Sequence, residues 1–87
     1  MKMDKKKLIE KANETAVLLY QNREKEGMQG IRELLIVFQN KVQTMAQQQD
    51  KEVEIALSAL KELLENYKNQ DVMGMADWLM KKIEIFI

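Results

Sequence analysis

Apolar residues return every three or four positions along nearly the whole chain, and no proline interrupts them. This spacing places side chains on one face of an α-helix, whereas a half-buried strand would alternate at every second residue. Proline is the residue that most strongly breaks a helix. The pattern therefore predicts an all-α protein, and its few breaks must fall at polar residues or at one of three glycines.

The first two helices flank the least regular stretch of the sequence. Helix one is predicted to begin at Lys5, with Asp4 as its N-cap, and to end near residues 21–23. Glycine inside a helix costs about 1 kcal/mol, so the two glycines within residues 22–30 predict a turn there. Helix two then runs from about Met28 to Gln47, with an apolar seam in steps of three and four.

The third and fourth helices each follow an aspartate that is suited to the N-cap position. Asp50 is predicted to cap helix three, which runs to about Lys68. Asn69 can adopt the left-handed conformation that ends a helix. Asp71 is then expected to cap a fourth helix that continues to the end of the chain at Ile87.

These elements predict one domain spanning residues 1–87. Helices of about 17–20 residues would be about 25–30 Å long, and short turns between matched helices favour antiparallel neighbours. We therefore expect an up-down bundle of four helices, or a three-helix core if the last helix detaches. Residues 1–4 are expected to fray, because the cations at residues 5–7 oppose the helix dipole.

The residue inventory argues against an enzyme. The chain has no histidine and no cysteine, which removes the commonest metal ligand, the commonest general base and the thiol nucleophile. Ser58 is the only serine and lies within a predicted helix. Glu10 with Glu14, and Glu62 with Glu65, have a spacing that metal ligands use, but solvated helix surface explains them better. We expect no catalytic residue, no metal site and no cofactor.

The charge balance narrows the class of partner. Fourteen basic and fourteen acidic residues cancel, whereas nucleic-acid-binding domains are strongly basic. The longest apolar runs are five residues, far short of the roughly 20 that a membrane span needs. We expect a cytoplasmic protein that binds no nucleic acid. A lysine cluster before Leu8 leaves open a peripheral contact with anionic lipid, although a membrane partner is disfavoured.

Two segments hold more apolar residues than one helical stripe requires, namely residues 34–38 and 83–87. Tryptophan, methionine and phenylalanine are enriched at protein contacts, and Trp78 is expected to be partly exposed, since it falls opposite the stripe of helix four. The candidate partner-binding residues are Leu34, Val37, Trp78, Ile85, Phe86 and Ile87.

The stretch Asn69-Gln70-Asp71-Val72-Met73-Gly74-Met75-Ala76-Asp77-Trp78-Leu79-Met80 resembles a family of small uncharacterised helical proteins, mostly from Firmicutes. Glu26-Gly27 ahead of an apolar helix is similar to that family as well. The resemblance implies a small bacterial helical protein and carries no activity to this chain. By size and helix number, the chain is also similar to flagellar export chaperones, which are helical bundles that hold a partner's helix in an apolar groove.

The function that these observations favour is that of a non-enzymatic protein-interaction module. It would self-associate, as a homodimer, or bind a partner helix through an apolar groove. The alternatives are a flagellar or secretion chaperone, a peripheral membrane-surface protein, and a protein that binds a small ligand in the bundle core.

Overall fold

The computed structural model describes residues 4–87, which form four α-helices and a final 3-10 turn. The helices are α1 (Lys5–Tyr20), α2 (Glu24–Gln47), α3 (Val53–Lys68) and α4 (Val72–Lys81), and the 3-10 turn spans Ile83–Phe86. Each helix packs against the next along the chain, and α4 returns to pack along α1. The all-α prediction of an antiparallel four-helix bundle is therefore confirmed.

The polypeptide turns without glycine at all three connections between helices. Asn22, Gln49 and Gln70 have φ values of 62°, 54° and 54°, in the left-handed region. After α1, the amide of Arg23 donates to the carbonyl of Leu18 at 2.9 Å, and the same bond across five residues follows α2 and α3. This is the Schellman arrangement, in which a left-handed residue lets the last helical carbonyls find donors.

The first turn lies at the beginning of the stretch predicted for it, residues 22–30, and does not use the two glycines. The turn occupies residues 21–23, and α2 begins at Glu24 rather than near Met28. Gly27 and Gly30 lie inside α2, where α1 passes close to them: a Cβ at Gly30 would lie 2.5 Å from Thr15 Oγ1. These glycines serve the packing of two helices rather than a turn.

The ends of α3 and α4 also differ from the predictions. Asp50 is not the N-cap of α3, which begins three residues later, although its carboxylate accepts a hydrogen bond from the amide of Glu52 at 2.9 Å. The left-handed residue after α3 is Gln70 rather than Asn69. Helix α4 ends at Lys81, and the remaining residues tighten into the 3-10 turn. The helices are consequently unequal, with 16, 24, 16 and 10 residues.

Two predicted N-caps are confirmed. The side chain of Asp4 accepts a hydrogen bond from the amide of Lys7 at 2.8 Å, and that of Asp71 accepts one from the amide of Gly74 at 2.9 Å. Each satisfies an amide that has no partner within the helix. Asp4 therefore belongs to an ordered cap, whereas the rest of the segment predicted to fray, residues 1–3, lies outside the described residues.

The core contains side chains from all four helices and from the 3-10 turn. Three aromatic rings meet in it: Phe38 lies 5.2 Å from Trp78 and 4.6 Å from Phe86, measured between ring centroids. Helix α4 contributes Met75, Ala76 and Leu79, all fully buried, so the last helix is integral to the core. This excludes the alternative of a three-helix core with a detached fourth helix.

Candidate functional site

Three of the six residues predicted to bind a partner are buried in the core. Leu34 is fully buried, and Trp78 and Phe86 expose only 4% and 2% of their surface. The indole nitrogen of Trp78 donates a hydrogen bond to the carbonyl of Ala59 at 2.8 Å. The expectation that Trp78 is partly exposed is therefore wrong. Val37, Ile85 and Ile87 are half-buried against the core.

The surplus apolar residues mostly complete the core. Within residues 34–38, Leu34, Leu35 and Phe38 point inward, and only Ile36 is strongly exposed. Within residues 83–87, Ile83 and Phe86 are buried and lie in the 3-10 turn that follows α4. Steps of four and three from Leu79 place Ile83 and Phe86 on the inner side of a continuing helix as well, so the spacing of the sequence agrees with their burial.

A different apolar surface lies where α1 packs along α4. We name it the α1–α4 face and define it by Val17 and Tyr20 on α1 and Met73 and Met80 on α4. These side chains are 49%, 42%, 53% and 55% exposed. Val17 lies one turn before Tyr20, and the two methionines lie one turn on either side of Asp77. Residues three or four apart share one side of a helix.

One hydrogen bond joins the two halves of the α1–α4 face. The hydroxyl of Tyr20 donates to the carboxylate of Asp77, with an O···O distance of 2.6 Å. This bond, followed by burial and by the negative charge of Asp77, raises the pKa of Tyr20 above its ordinary value. Because it links α1 to α4 at the centre of the exposed apolar residues, it holds Tyr20 against α4 with its ring still partly open to solvent.

Beside Val17, the surface of α1 forms a shallow depression. It is lined by Asn13, Glu14, Val17 and Leu18. The depression is open and mainly apolar, and its lining includes the acidic residue Glu14. Its shape suits contact with a side chain of another molecule better than enclosure of a small ligand.

The other strongly exposed large apolar residues do not extend the α1–α4 face. They lie on α2 and α3 and comprise Ile36, Ile55, Leu57 and Leu64. Leu57 and Leu64 are two turns apart on α3, whereas Ile36 is a single exposed side chain on α2. Isolated apolar residues are normal on protein surfaces, but a contiguous group is informative.

The carboxylates that sequence spacing raised as metal ligands lie on the surface. Glu10, Glu14 and Glu65 are exposed, and Glu62 pairs with Lys82 at 3.3 Å. Among residues 4–87, no three acidic side chains come close enough together to hold a metal ion. Within the same range, no helix has the length and apolar character to cross a bilayer.

Comparison with protein-family models, with curated proteins and with solved structures returns no match for the chain. Support for the α1–α4 face as a functional site therefore comes from the geometry described above.

The sequence contains a signal for the α1–α4 face in the apolar residues that lie beside the main apolar stripes of helices one and four. Val17 and Tyr20 belong to the five-residue apolar run that ends helix one, and both fall beside the stripe formed by Leu8, Ala12 and Leu19. Met73 and Met80 lie beside the residues that recur along one side of helix four, namely Val72, Met75 and Leu79. Apolar residues outside the stripes of two neighbouring helices form a face only if those sides are adjacent, which depends on how α1 and α4 pack.

Proposed function

We propose that this protein is a non-enzymatic interaction module that binds another protein, or a second copy of this chain, through the α1–α4 face. The single observation that supports the proposal is the grouping of four half-exposed apolar side chains around the Tyr20–Asp77 hydrogen bond. Exposing such a group to water has a free-energy cost, which a covering partner would remove.

The composition of the α1–α4 face is consistent with this role. Methionine is flexible and polarisable, so Met73 and Met80 can adapt to an irregular partner. Tyr20 presents an apolar ring with its hydroxyl already hydrogen-bonded, an arrangement that contacts a partner at little entropic cost. The absence of histidine and cysteine from the chain supports a binding role over catalysis.

Site-specific photo-cross-linking in the source cell tests the proposal. A benzophenone amino acid placed at Met80 should yield a discrete cross-linked species, containing either another protein or a second copy of this chain. The matched control is Ile36, which is 60% exposed and lies on α2, outside the α1–α4 face. Absence of a product at Met80, Met73 and Val17, or equal products at Met80 and Ile36, would contradict the proposal.

A further inference from the structure

The charges that surround the α1–α4 face are mostly negative. Glu14 lines the depression beside Val17, Asp77 lies between the two methionines on α4, and Glu84 lies in the 3-10 turn that follows α4. All three are exposed. The neighbouring cation on α4 is Lys81, so the border of the face has a negative balance.

These three carboxylates are not neutralised by an ion pair within residues 4–87. The ion pairs in that part of the chain join Lys11 to Glu33, Arg23 to Glu26, and Lys82 to Glu62. None includes Glu14, Asp77 or Glu84. Asp77 accepts a hydrogen bond from the Tyr20 hydroxyl rather than from a cation. The border therefore has negative charge free to attract a partner.

This charge pattern argues against a second copy of the chain as the occupant. Two copies joined through the α1–α4 face would bring the same carboxylates together, and like charges across an interface are unfavourable. The size of the face points the same way, because a standard protein–protein interface uses about 20–30 residues on each side. Four half-exposed apolar residues match the few anchors of one helix lying in a groove.

On the basis of the proposed function, we propose that the occupant is an amphipathic helix of another protein, with lysine or arginine bordering its apolar stripe. Its apolar residues would cover Met73, Met80 and Val17. Its cations would lie opposite Glu14 and Glu84, where charge complementarity speeds association and selects against acidic helices.

Two synthetic peptides of about 18 residues, long enough to form a helix on binding, provide the probe. Both carry leucine at the same helical positions, and their flanking positions are lysine in one and glutamate in the other. Fluorescence anisotropy with the full chain should show that the lysine peptide binds at least about tenfold more tightly, and that its affinity falls as ionic strength rises.

Variants of the full chain locate the binding site. Met80→Ser should weaken binding of the lysine peptide by about tenfold, as for a central interface residue, whereas Ile36→Ser should leave it unchanged. Glu14→Gln with Glu84→Gln should weaken it several-fold and reduce its salt dependence. Glu54→Gln with Glu65→Gln, a matched removal of two exposed charges on α3, should have no effect.

Several results would overturn the inference. They are equal binding of both peptides, binding of neither peptide, or an equal loss of affinity for the lysine peptide in the Glu14/Glu84 and the Glu54/Glu65 double variants. A dimer in sedimentation that Met80→Ser dissociates would identify a second copy as the occupant. If any of these is found while the cross-link at Met80 persists, the basic helix is rejected and the proposed function stands. Loss of the cross-link as well would reject both.

Discussion

Trp78 is held in the core by contacts of two kinds. Its ring lies 5.7 Å from Phe86 and 5.2 Å from Phe38, and its N–H group donates to the carbonyl of Ala59 on α3. Tryptophan is usually buried completely only where its N–H finds such an acceptor. Trp78 does not belong to the apolar stripe of α4, and its indole turns inward because the buried carbonyl of Ala59 accepts a hydrogen bond from its N–H group.

The fluorescence of Trp78 should report this burial directly, since it is the only tryptophan in the chain. We expect native emission at short wavelength with little quenching by acrylamide, and a shift to longer wavelength in urea. Emission typical of a water-exposed indole in the native protein would contradict the buried position. Phe86→Ala, which removes one ring from the cluster, should increase acrylamide quenching in the folded protein.

The ion pair between Lys11 and Glu33 should make stability depend on pH. Its hydrogen bond, followed by the charge of Lys11, lowers the pKa of the Glu33 carboxyl below its ordinary value. The unfolded chain therefore binds more protons in the acid range. The stabilisation is present above the unfolded pKa of about 4.3 and is lost as pH falls through the lower, folded pKa.

Urea unfolding of the wild-type protein and of Glu33→Gln, followed by circular dichroism, measures this effect. The difference in their unfolding midpoints should be largest near neutral pH and should decrease with acidification. Lys11→Met should lower the unfolding midpoint with the same dependence on pH. The double variant should lose no more stability than either single variant, because both substitutions remove the same ion pair. A difference that is independent of pH would contradict the role of the pair.

At the scale of elements, the approach of α1 to α2 depends on Gly30. A Cβ there would meet Oγ1 and Cγ2 of Thr15 at 2.5 Å and 2.9 Å, and Thr15 is β-branched and buried. Since a β-branched side chain has little rotamer freedom, the helices would have to separate. The better helix propensity of alanine, worth about 1 kcal/mol, is thus opposed by overpacking that costs about 1–3 kcal/mol.

We expect Gly30→Ala to lower the free energy of unfolding by up to about 2 kcal/mol, measured by urea denaturation. Adding Thr15→Ala to it should cost less than Thr15→Ala costs in the wild type, because the two contacting atoms are gone. Gln29→Ala, at the neighbouring exposed position of α2, should be neutral or slightly stabilising. Strict additivity of the two changes would contradict the close contact.

The glycine-free turns offer a stabilising substitution. Gln49 has a φ of 54°, a conformation that costs an ordinary side chain about 1–2 kcal/mol and glycine almost nothing. Glycine loses more conformational entropy on folding than other residues, which offsets part of this gain. Gln49→Gly should therefore raise the free energy of unfolding by about 0.5–1 kcal/mol. Gln48→Gly is the matched control: its φ is −87°, so glycine should destabilise the protein. Equal effects of the two substitutions would exclude backbone strain as the cause.

The whole molecule is as long as its longest helix. Its long dimension is 39 Å, and 24 residues of α2 span about 36 Å. Helix α4 has only 10 residues, or about 15 Å, so it covers less than half of that length. The 3-10 turn supplies Ile83 and Phe86 to the core that α4 does not reach, and it contacts α3 as well as α4.

Phe86 should therefore act on stability. Phe86→Ala removes a nearly fully buried ring and should lower the free energy of unfolding by about 3–5 kcal/mol, measured by urea or thermal unfolding. Ile85→Ala, at a half-buried neighbour, should cost clearly less. If Phe86→Ala left the stability unchanged, Phe86 would not be a core residue, and the prediction from the sequence that it binds a partner would regain support.

The helical fold follows directly from the sequence, because it depends on interactions between neighbours along the chain. Two local features, the spacing of apolar residues and the absence of proline, predict the helical fold, which is confirmed. The caps predicted at Asp4 and Asp71 are also local and are confirmed. The burial of Ile31, Phe38 and Leu63 also follows from helical periodicity alone.

Tertiary packing decided the features that involve two helices at once. Glycine occupies positions 27 and 30 within α2 because α1 passes too close for a side chain there. Trp78 turns inward, where a carbonyl of α3 accepts a hydrogen bond from its N–H group. Likewise, Val17 and Met80 belong to one exposed surface only because Tyr20 reaches Asp77 across the α1–α4 contact. Periodicity gives the orientation of a side chain about its own helix axis. Which neighbour meets it there is a property of the packed molecule.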